Sequence, residues 1–384
     1  MHNIANPFIV SGKIRPHLFC DREHESTQLV DMLVNGNNVL LISPRRMGKT
    51  GLINFCFDKP QISDVFNTFY VDILSTSSLR EFIVLLGREI YSTLQPAGAK
   101  LVGRFAAALK SVAGSFGFDA ISGTPTFNLQ IGDIRDPEYT LREIFDYLGT
   151  SAKPCIVAID EFQQVSRYPE RNIEALLRSY MQKLDNTRFI FAGSERHMLM
   201  EMFMTNARPF YLSSSVMELK PIDHDVYADF AERLFNDYGK EVERNAVMAV
   251  YRLFSGHTYY LQRTMNIAFA HTEPQELCTI ATMRSAVLEL LQTSQTVYRE
   301  MLSNVPERHK QLMIAIANAG AVKSPLSAQF VSAHGLPSAS AVQNSLKYLL
   351  RSDLVTRADV YTVTDPLLGL WIRSTYGPAP FTPL

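Results

Sequence analysis

Ser43-Pro44-Arg45-Arg46-Met47-Gly48-Lys49-Thr50 is the stretch on which the reading of this chain turns. It fits the phosphate-loop pattern G-x-x-x-x-G-K-[ST] with one departure, Ser43 in place of the first glycine. Such a loop turns backbone N–H groups inward around phosphate oxygens, and a helix N-terminus behind it adds donors and a favourable dipole. Gly48 lets the backbone approach closely. Lys49 would reach the β- and γ-phosphates, and Thr50 would place its hydroxyl on Mg²⁺. The stretch from Ser43 to Gly51 is therefore the candidate nucleotide cradle. Arg45 and Arg46, at its tip, suit either a phosphate contact or a solvated, sheet-capping role.

A bare G-K-T triplet is common, so the context carries the inference. Val39-Leu40-Leu41-Ile42 precedes the loop as an unbroken apolar run after Gly36-Asn37-Asn38, the mark of a strand buried on both faces. A helix is expected over 49–57. Further strands are expected over 68–73, 154–159, 188–192 and 216–219. Helices are expected between them over 78–94, 139–148 and 173–184. Alternating strands and helices predict a three-layer α/β domain around a parallel sheet. One insertion breaks the alternation. Ser115-Phe116-Gly117-Phe118-Asp119-Ala120 and Thr126-Phe127-Asn128-Leu129-Gln130-Ile131 flank Ser122-Gly123-Thr124-Pro125, which predicts a β-hairpin.

Cys155-Ile156-Val157-Ala158-Ile159-Asp160-Glu161 is an apolar strand ending in two carboxylates. In the functional reading, Asp160 holds Mg²⁺ directly or through water and Glu161 orients and activates the attacking water. The alternative is a strand running into an ordinary helix cap. Coupled to the phosphate loop, the first reading predicts a site built to hydrolyse nucleotide. Ser194 closes the next strand, Phe191-Ala192-Gly193-Ser194, and has two readings: a sensor touching the γ-phosphate or water, or a cap for the segment starting at Glu195.

After Pro221 the pattern is helical, over 225–238, 241–254, 259–270 and 283–304. Aromatic stripes such as Phe230, Leu234 and Phe235 read as core. Helices over 306–318, 325–333 and 339–351 then precede a hairpin, 354–357 with 360–363, turning at Ala358-Asp359; that order is a winged helix-turn-helix. On its third helix Val342, Leu346, Leu349 and Leu350 are expected to face the core. Gln343, Asn344, Lys347 and Arg351 would face outward, toward either DNA or a docked protein. The expected organisation is an ATPase core over 1–221, a helical lid over 222–304 and the winged helix over 305–384.

The bulk numbers fit this plan. A chain of 384 residues suits two or three domains, and 46 % hydrophobic residues suffice for full cores. A formal net charge of −1 gives no overall pull toward nucleic acid or acidic membranes, so any such preference must be local. Four cysteines without metal-ligand spacing point to a reducing, cytoplasmic setting. No signal peptide and no apolar run of bilayer length is read, so no membrane partner is expected. The charged run over 167–178 reads as a solvated helix face.

With these pieces in place the chain resembles the prokaryotic ATPases of the archaeal-ATPase type, within the STAND branch of the AAA+-like P-loop NTPases. The resemblance spans about 7–373 and rests on Phe19-Cys20-Asp21-Arg22-Glu23, the phosphate loop, and Ile159-Asp160-Glu161-Phe162-Gln163. It continues through Gly193-Ser194, Arg208-Pro209-Phe210-Tyr211, Gly256-His257-Thr258-Tyr259-Tyr260-Leu261-Gln262, and Tyr361-Thr362-Val363-Thr364-Asp365-Pro366. It implies that Phe19 and Arg22 lie near the base and that His257, in the lid, senses the nucleotide. It implies ATP and ADP as ligands with Mg²⁺ as cofactor, and catalytic roles for Lys49, Glu161 and Ser194. A nucleotide-driven switch acting on a protein partner follows, with a nucleotide-modulated DNA-binding regulator or defence component as the alternative. This chain departs from the pattern at Ser43, at Thr258, and at Leu212-Ser213-Ser214-Ser215, where relatives carry an arginine. Without that arginine, slow turnover is expected unless Arg208 substitutes.

Overall fold

The computed structural model describes residues 6–12, 14–119, 124–357, 359–378 and 381–384. Two compact units appear: Arg22–Lys220, and a second made of the segment up to Asp21 together with Pro221–Leu384.

The first unit is built on a parallel sheet of β1 (Val39–Ile42), β2 (Asn67–Asp72), β3 (Cys155–Asp160), β4 (Thr187–Gly193) and β5 (Ser215–Glu218), in the spatial order β2-β3-β4-β1-β5. Every residue of β1 and β3 is buried, which is why both read as unbroken apolar runs. The register sets the site. Ile42 pairs with Gly193 and Asp72 with Asp160, so the phosphate loop, the carboxylate pair and Ser194 emerge along one edge of the sheet.

The helix Glu23–Val34, which periodicity did not single out, leads into β1. Its end is closed by Gly36 at φ 87, with Gly36 N–H on Leu33 O and Asn37 N–H on Met32 O. Lys49–Phe57 and Leu79–Leu94 are helices, the latter capped by Ser78. Pro137–Gly149 and Ile173–Met181 follow. Ala99–Ala108, Arg196–Met204 and, in the second unit, Pro366–Tyr376 are further helices beyond the sequence reading.

The inserted ribbon pairs Phe116–Phe118 with Pro125–Phe127 antiparallel, and the rings of Phe116 and Phe127 lie 4.4 Å apart. Its second strand is shorter than expected. A 3-10 turn over Ile131–Asp133, closed by reciprocal Gln130 and Asp133 bonds, draws the chain away, and Ile131 ends 48 % exposed. Ser122 and Gly123, assigned to the turn, and Ala358, assigned to the wing, lie outside the described residues.

The second unit has one apolar cluster running from Phe8 to Ile372. Phe8 packs edge-on against Phe230 and Phe269. Reciprocal bonds from the Asn6 amide to Asn266 O and from the Asn266 amide to Phe8 O fix its segment. The helix expected over 241–254 is corrected: Glu241–Val242 pairs with Leu277–Cys278, and the helix is Arg244–Leu253. Glu243 explains the break, because its carboxylate accepts from Ile280 N–H. Helices Glu307–Ala319, Ala328–Ala333 and Ala339–Arg351 precede antiparallel Val355–Arg357 and Tyr361–Val363. Val342, Leu346 and Leu349 are buried; Leu350 is 37 % exposed, because it falls in the last turn, off the buried stripe.

The Thr-Asp-Pro stretch has a structural explanation. Asp365 caps the helix Pro366–Tyr376 and accepts from the hydroxyls of Tyr260, at 2.5 Å, and Tyr298, at 3.5 Å. One carboxylate thus ties three helices together. Asp365→Ala should cost about 2–3 kcal/mol, since a cap and a hydroxyl bond to a charged group go at once. Urea unfolding followed by circular dichroism checks this, and a loss below about 0.5 kcal/mol would contradict the assigned network.

Candidate nucleotide site

The loop from Ser43 to Thr50 keeps its shape through a few fixed points. Ser43 is 1 % exposed, and its hydroxyl donates to Pro44 O at 2.9 Å. Arg46 and Gly48 both take positive φ, 66° and 88°, which bends the loop back onto the helix Lys49–Phe57. Met47 is 2 % exposed and anchors the loop in the apolar interior, a role its place in the motif does not announce. Gly51 lies in the first helical turn.

Lys49 is 7 % exposed. Burial pushes its ammonium below the ordinary lysine range, while the charges of Asp160 and Glu161 pull it back up. An ammonium partly stripped of water gains more from an incoming phosphate than an exposed one would.

Thr50 and Asp160 meet directly, the Thr50 hydroxyl donating to Asp160 Oδ2 at 3.1 Å. The other oxygen, Oδ1, accepts from Glu161 N–H at 2.9 Å. These atoms fit a magnesium ion. They are hard oxygen donors, and Mg–O distances of about 2.1 Å put neighbouring ligand oxygens about 3.0 Å apart. The observed spacing of 3.1 Å is that of such a pair.

Glu161 sits at φ 56, in the left-handed region, at the start of a 3-10 turn over Phe162–Arg167. Its Oε2 accepts from Gln163 Nε2 at 2.5 Å, Ser194 Oγ at 2.9 Å and Ser194 N–H at 3.3 Å. Arg45 Nε in turn donates to Ser194 Oγ at 3.2 Å, joining the loop tip to the strand end. The cap residue of Arg196–Met204 is Glu195 rather than Ser194.

Three neighbours escaped the sequence reading. Tyr70, on β2, donates its hydroxyl to Asp160 Oδ2 at 2.7 Å and lies 3.2 Å from Thr50 Oγ1. Burial and then the Asp160 charge push that hydroxyl well above its usual range, so it stays protonated. Asp72 ends the same strand opposite Asp160 and accepts from Leu74 N–H. Gln163 is wholly buried beneath Gly193, where a Cβ would stand 2.2 Å from its Oε1. The first two carry no local signal, since the register of β2 against β3 places them, and the signal for the third is the bare Gly193.

The remaining candidates stand on other elements. Arg22 opens the helix Glu23–Val34 at φ 75 and is 3 % exposed; it pairs with Glu25 at 2.5 Å, while its Nη2 is buried without a hydrogen-bond partner among the described residues. Phe19 and His257 belong to the second unit. Phe19 follows a 3-10 turn at Pro16–Leu18, and His257 precedes Thr258–Ala270 with Nδ1 2.8 Å from Phe254 O. Gly256 takes φ 74, and a Cβ there would press on Pro221 and Tyr251 at 2.7 Å. Packing alone therefore demands that glycine.

Arg208 is paired with Glu174 at 2.8 Å and Glu201 at 3.9 Å. Glu174 is 8 % exposed, which corrects the expectation of a solvated face over 167–178: its ion pair draws one side of that helix inward.

Residues 19–264 match the family of ATPase domains predominantly from Archaea, and residues 296–374 match the probable winged helix domain family. No curated protein is a match. Among solved structures, a Walker-type ATPase of Pyrococcus abyssi is similar at 22 % identity and TM-score 0.66, over 96 % of this chain and 99 % of that one. The Aeropyrum pernix ORC2 protein, solved in ADPNP–ADP complexes, is similar at 15 % identity and TM-score 0.58, over 97 % and 98 %. At these identities the likeness is one of fold. No described helix is long and apolar enough to cross a membrane.

Proposed function

Because this chain belongs to the family of ATPase domains found predominantly in Archaea, we propose that it is a slow ATPase working as a nucleotide-dependent switch. The observation that carries this reading is the convergence, at one sheet edge, of a phosphate loop, the Thr50–Asp160 pair and a Glu161 carboxylate already held in place.

In this reading the amides of 43–51 cradle the phosphates and Lys49 draws in their negative charge. Thr50 and Asp160 hold magnesium, which when bound offsets phosphate charge. Glu161 takes the proton of the attacking water. Turnover is slow because Leu212-Ser213-Ser214-Ser215, just after Tyr211, supply no arginine and Arg208 is engaged by Glu174 and Glu201. The buried Nη2 of Arg22 supports its place near the base.

The functional parts are a core ending near residue 221, a lid over 222–304 and a winged helix over 305–384. Nucleotide state alters the surface that the last two offer to a protein partner. This is STAND-type behaviour in a cytoplasmic protein.

The test is phosphate release from Mg-ATP by the full chain. Saturable ATP binding with turnover of about 10⁻² s⁻¹ or slower is expected. Absence of heat with adenine and guanine triphosphates in magnesium buffer defeats the reading.

A second reading, a nucleotide-modulated DNA binder, is favoured by the exposure of Gln343, Asn344, Lys347 and Arg351 along Ala339–Arg351. It requires salt-sensitive duplex binding that is lost when Lys347 and Arg351 are changed. Failure to bind a duplex at low salt removes it.

A further inference from the structure

Thr50 Oγ1, Asp160 Oδ2 and the Tyr70 hydroxyl form a triangle with sides of 3.1, 2.7 and 3.2 Å. Oxygens spaced in this way match one face of a six-oxygen shell around a small divalent ion, whose corners stand about 3.0 Å apart. Two corners belong to residues that suit such an ion. The third is a neutral phenol, a poor ligand for a hard cation but a good donor to a carboxylate. Its bond supplies Asp160 with part of the positive charge that a cation would otherwise bring.

Tyr70 stands on the edge strand of the sheet, half-buried, with its main-chain N–H taken by Glu89 Oε1 at 3.3 Å. Its backbone is therefore fixed while its ring has room. A cavity of about 300 Å³, lined by Tyr70, Leu85, Arg88, Glu89 and Ser92 among others, opens beside it.

We propose that Tyr70 is an internal stand-in for the divalent cation: its hydroxyl closes the Thr50–Asp160 pair when no metal is bound and withdraws toward the adjoining cavity when one enters. Tyr70 is thus a positioning residue that sets how strongly nucleotide affinity depends on metal. With the phenol present, the metal-free site is already partly neutralised, and the entering ion must displace a hydrogen bond. With the phenol gone, the metal-free site repels phosphate more and the ion meets no competitor. Both effects widen the gap between affinity with metal and affinity without it.

This inference rests on the ATPase reading, and the experiment separates the two. A fluorescent ATP analogue is titrated into wild type and Tyr70→Phe, once in saturating Mg²⁺ and once in EDTA. The ratio of the two affinities should be about tenfold to 100-fold larger in Tyr70→Phe, the size expected for one hydrogen bond to a charged group. Electron paramagnetic resonance of Mn²⁺ with nucleotide-loaded protein should show half-saturation falling by a similar factor. Tyr70→Met, which removes the hydroxyl in a non-aromatic side chain, should move both readings the same way. Equal ratios in wild type and both variants, or a smaller ratio in the variants, overturns the role of Tyr70 while leaving the ATPase reading standing. A wild type that binds no analogue in either buffer overturns both.

Discussion

Lys49→Ala should weaken ATP binding by about 100-fold or more while the fold survives. The lysine is 7 % exposed and stands among carboxylates, with Asp160 and Glu161 both acting on its charge. In the absence of nucleotide burial disfavours the ammonium more than the carboxylates favour it. Removing the ammonium leaves Asp160 and Glu161 facing an incoming polyphosphate with no nearby lysine. The loss therefore combines a charge-assisted phosphate contact with fresh like-charge repulsion. Contacts of the first kind contribute about 1.5–3 kcal/mol, which already covers most of a 100-fold change. Stability should shift little, because the helix behind the loop is anchored by Leu52, Ile53 and Cys56, all 0 % exposed. Calorimetric titration with ATP, paired with a thermal melt, separates the two effects. ATP affinity that matches wild type in a folded Lys49→Ala protein would remove this loop as the binding site.

How much of this could be read in advance follows from which contacts are local. β1 and the helix after the loop carry their signal within a few residues, in an apolar run and a Gly-Lys-Thr start, and both were found at their observed bounds. β3 carries an equally local signal, its every position being buried, and was expected over 154–159, one residue early at each end of Cys155–Asp160. Tyr70 and Asp72 were invisible for the opposite reason. β2 alternates between half-buried and buried residues like any edge strand, and only its pairing with β3, some 90 residues on, puts Asp72 against Asp160 and the Tyr70 hydroxyl on Asp160.

Gln163 entered the sequence reading only as the end of the Ile159–Gln163 motif, with no role assigned. It is buried because Glu161 turns the chain into the left-handed region and Gly193 leaves space for it. The break at Glu243 was hidden in a helix-like pattern, since Glu241–Val242 finds its partner only at Leu277–Cys278. Leu350 kept the helical spacing of a core residue but sits where the helix runs out. Periodicity thus gave most of the elements, and non-local register decided which side chains share the site.

Glu161→Gln should lower phosphate release by about 100-fold or more and leave ATP affinity within about twofold of wild type. The substitution is nearly isosteric, and its chemistry is selective here. Oε2 only accepts, from Gln163 Nε2 and from both donors of Ser194. A glutamine carbonyl oxygen in that place accepts the same bonds, so the side chain keeps its position. What is lost is the carboxylate's capacity to take a proton from water, for an amide is not a base near neutral pH. General-base catalysis contributes about 10²–10⁴ in rate, which sets the expected size. The starting rate is already low, so the measurement needs single-turnover conditions with radiolabelled ATP. Unchanged release in Glu161→Gln would mean that the carboxylate takes no proton, and the chain would then be a nucleotide-holding scaffold. Lost ATP binding in a folded Glu161→Gln protein would instead mean that Glu161 shapes the pocket, and the slow-switch mechanism would need another base.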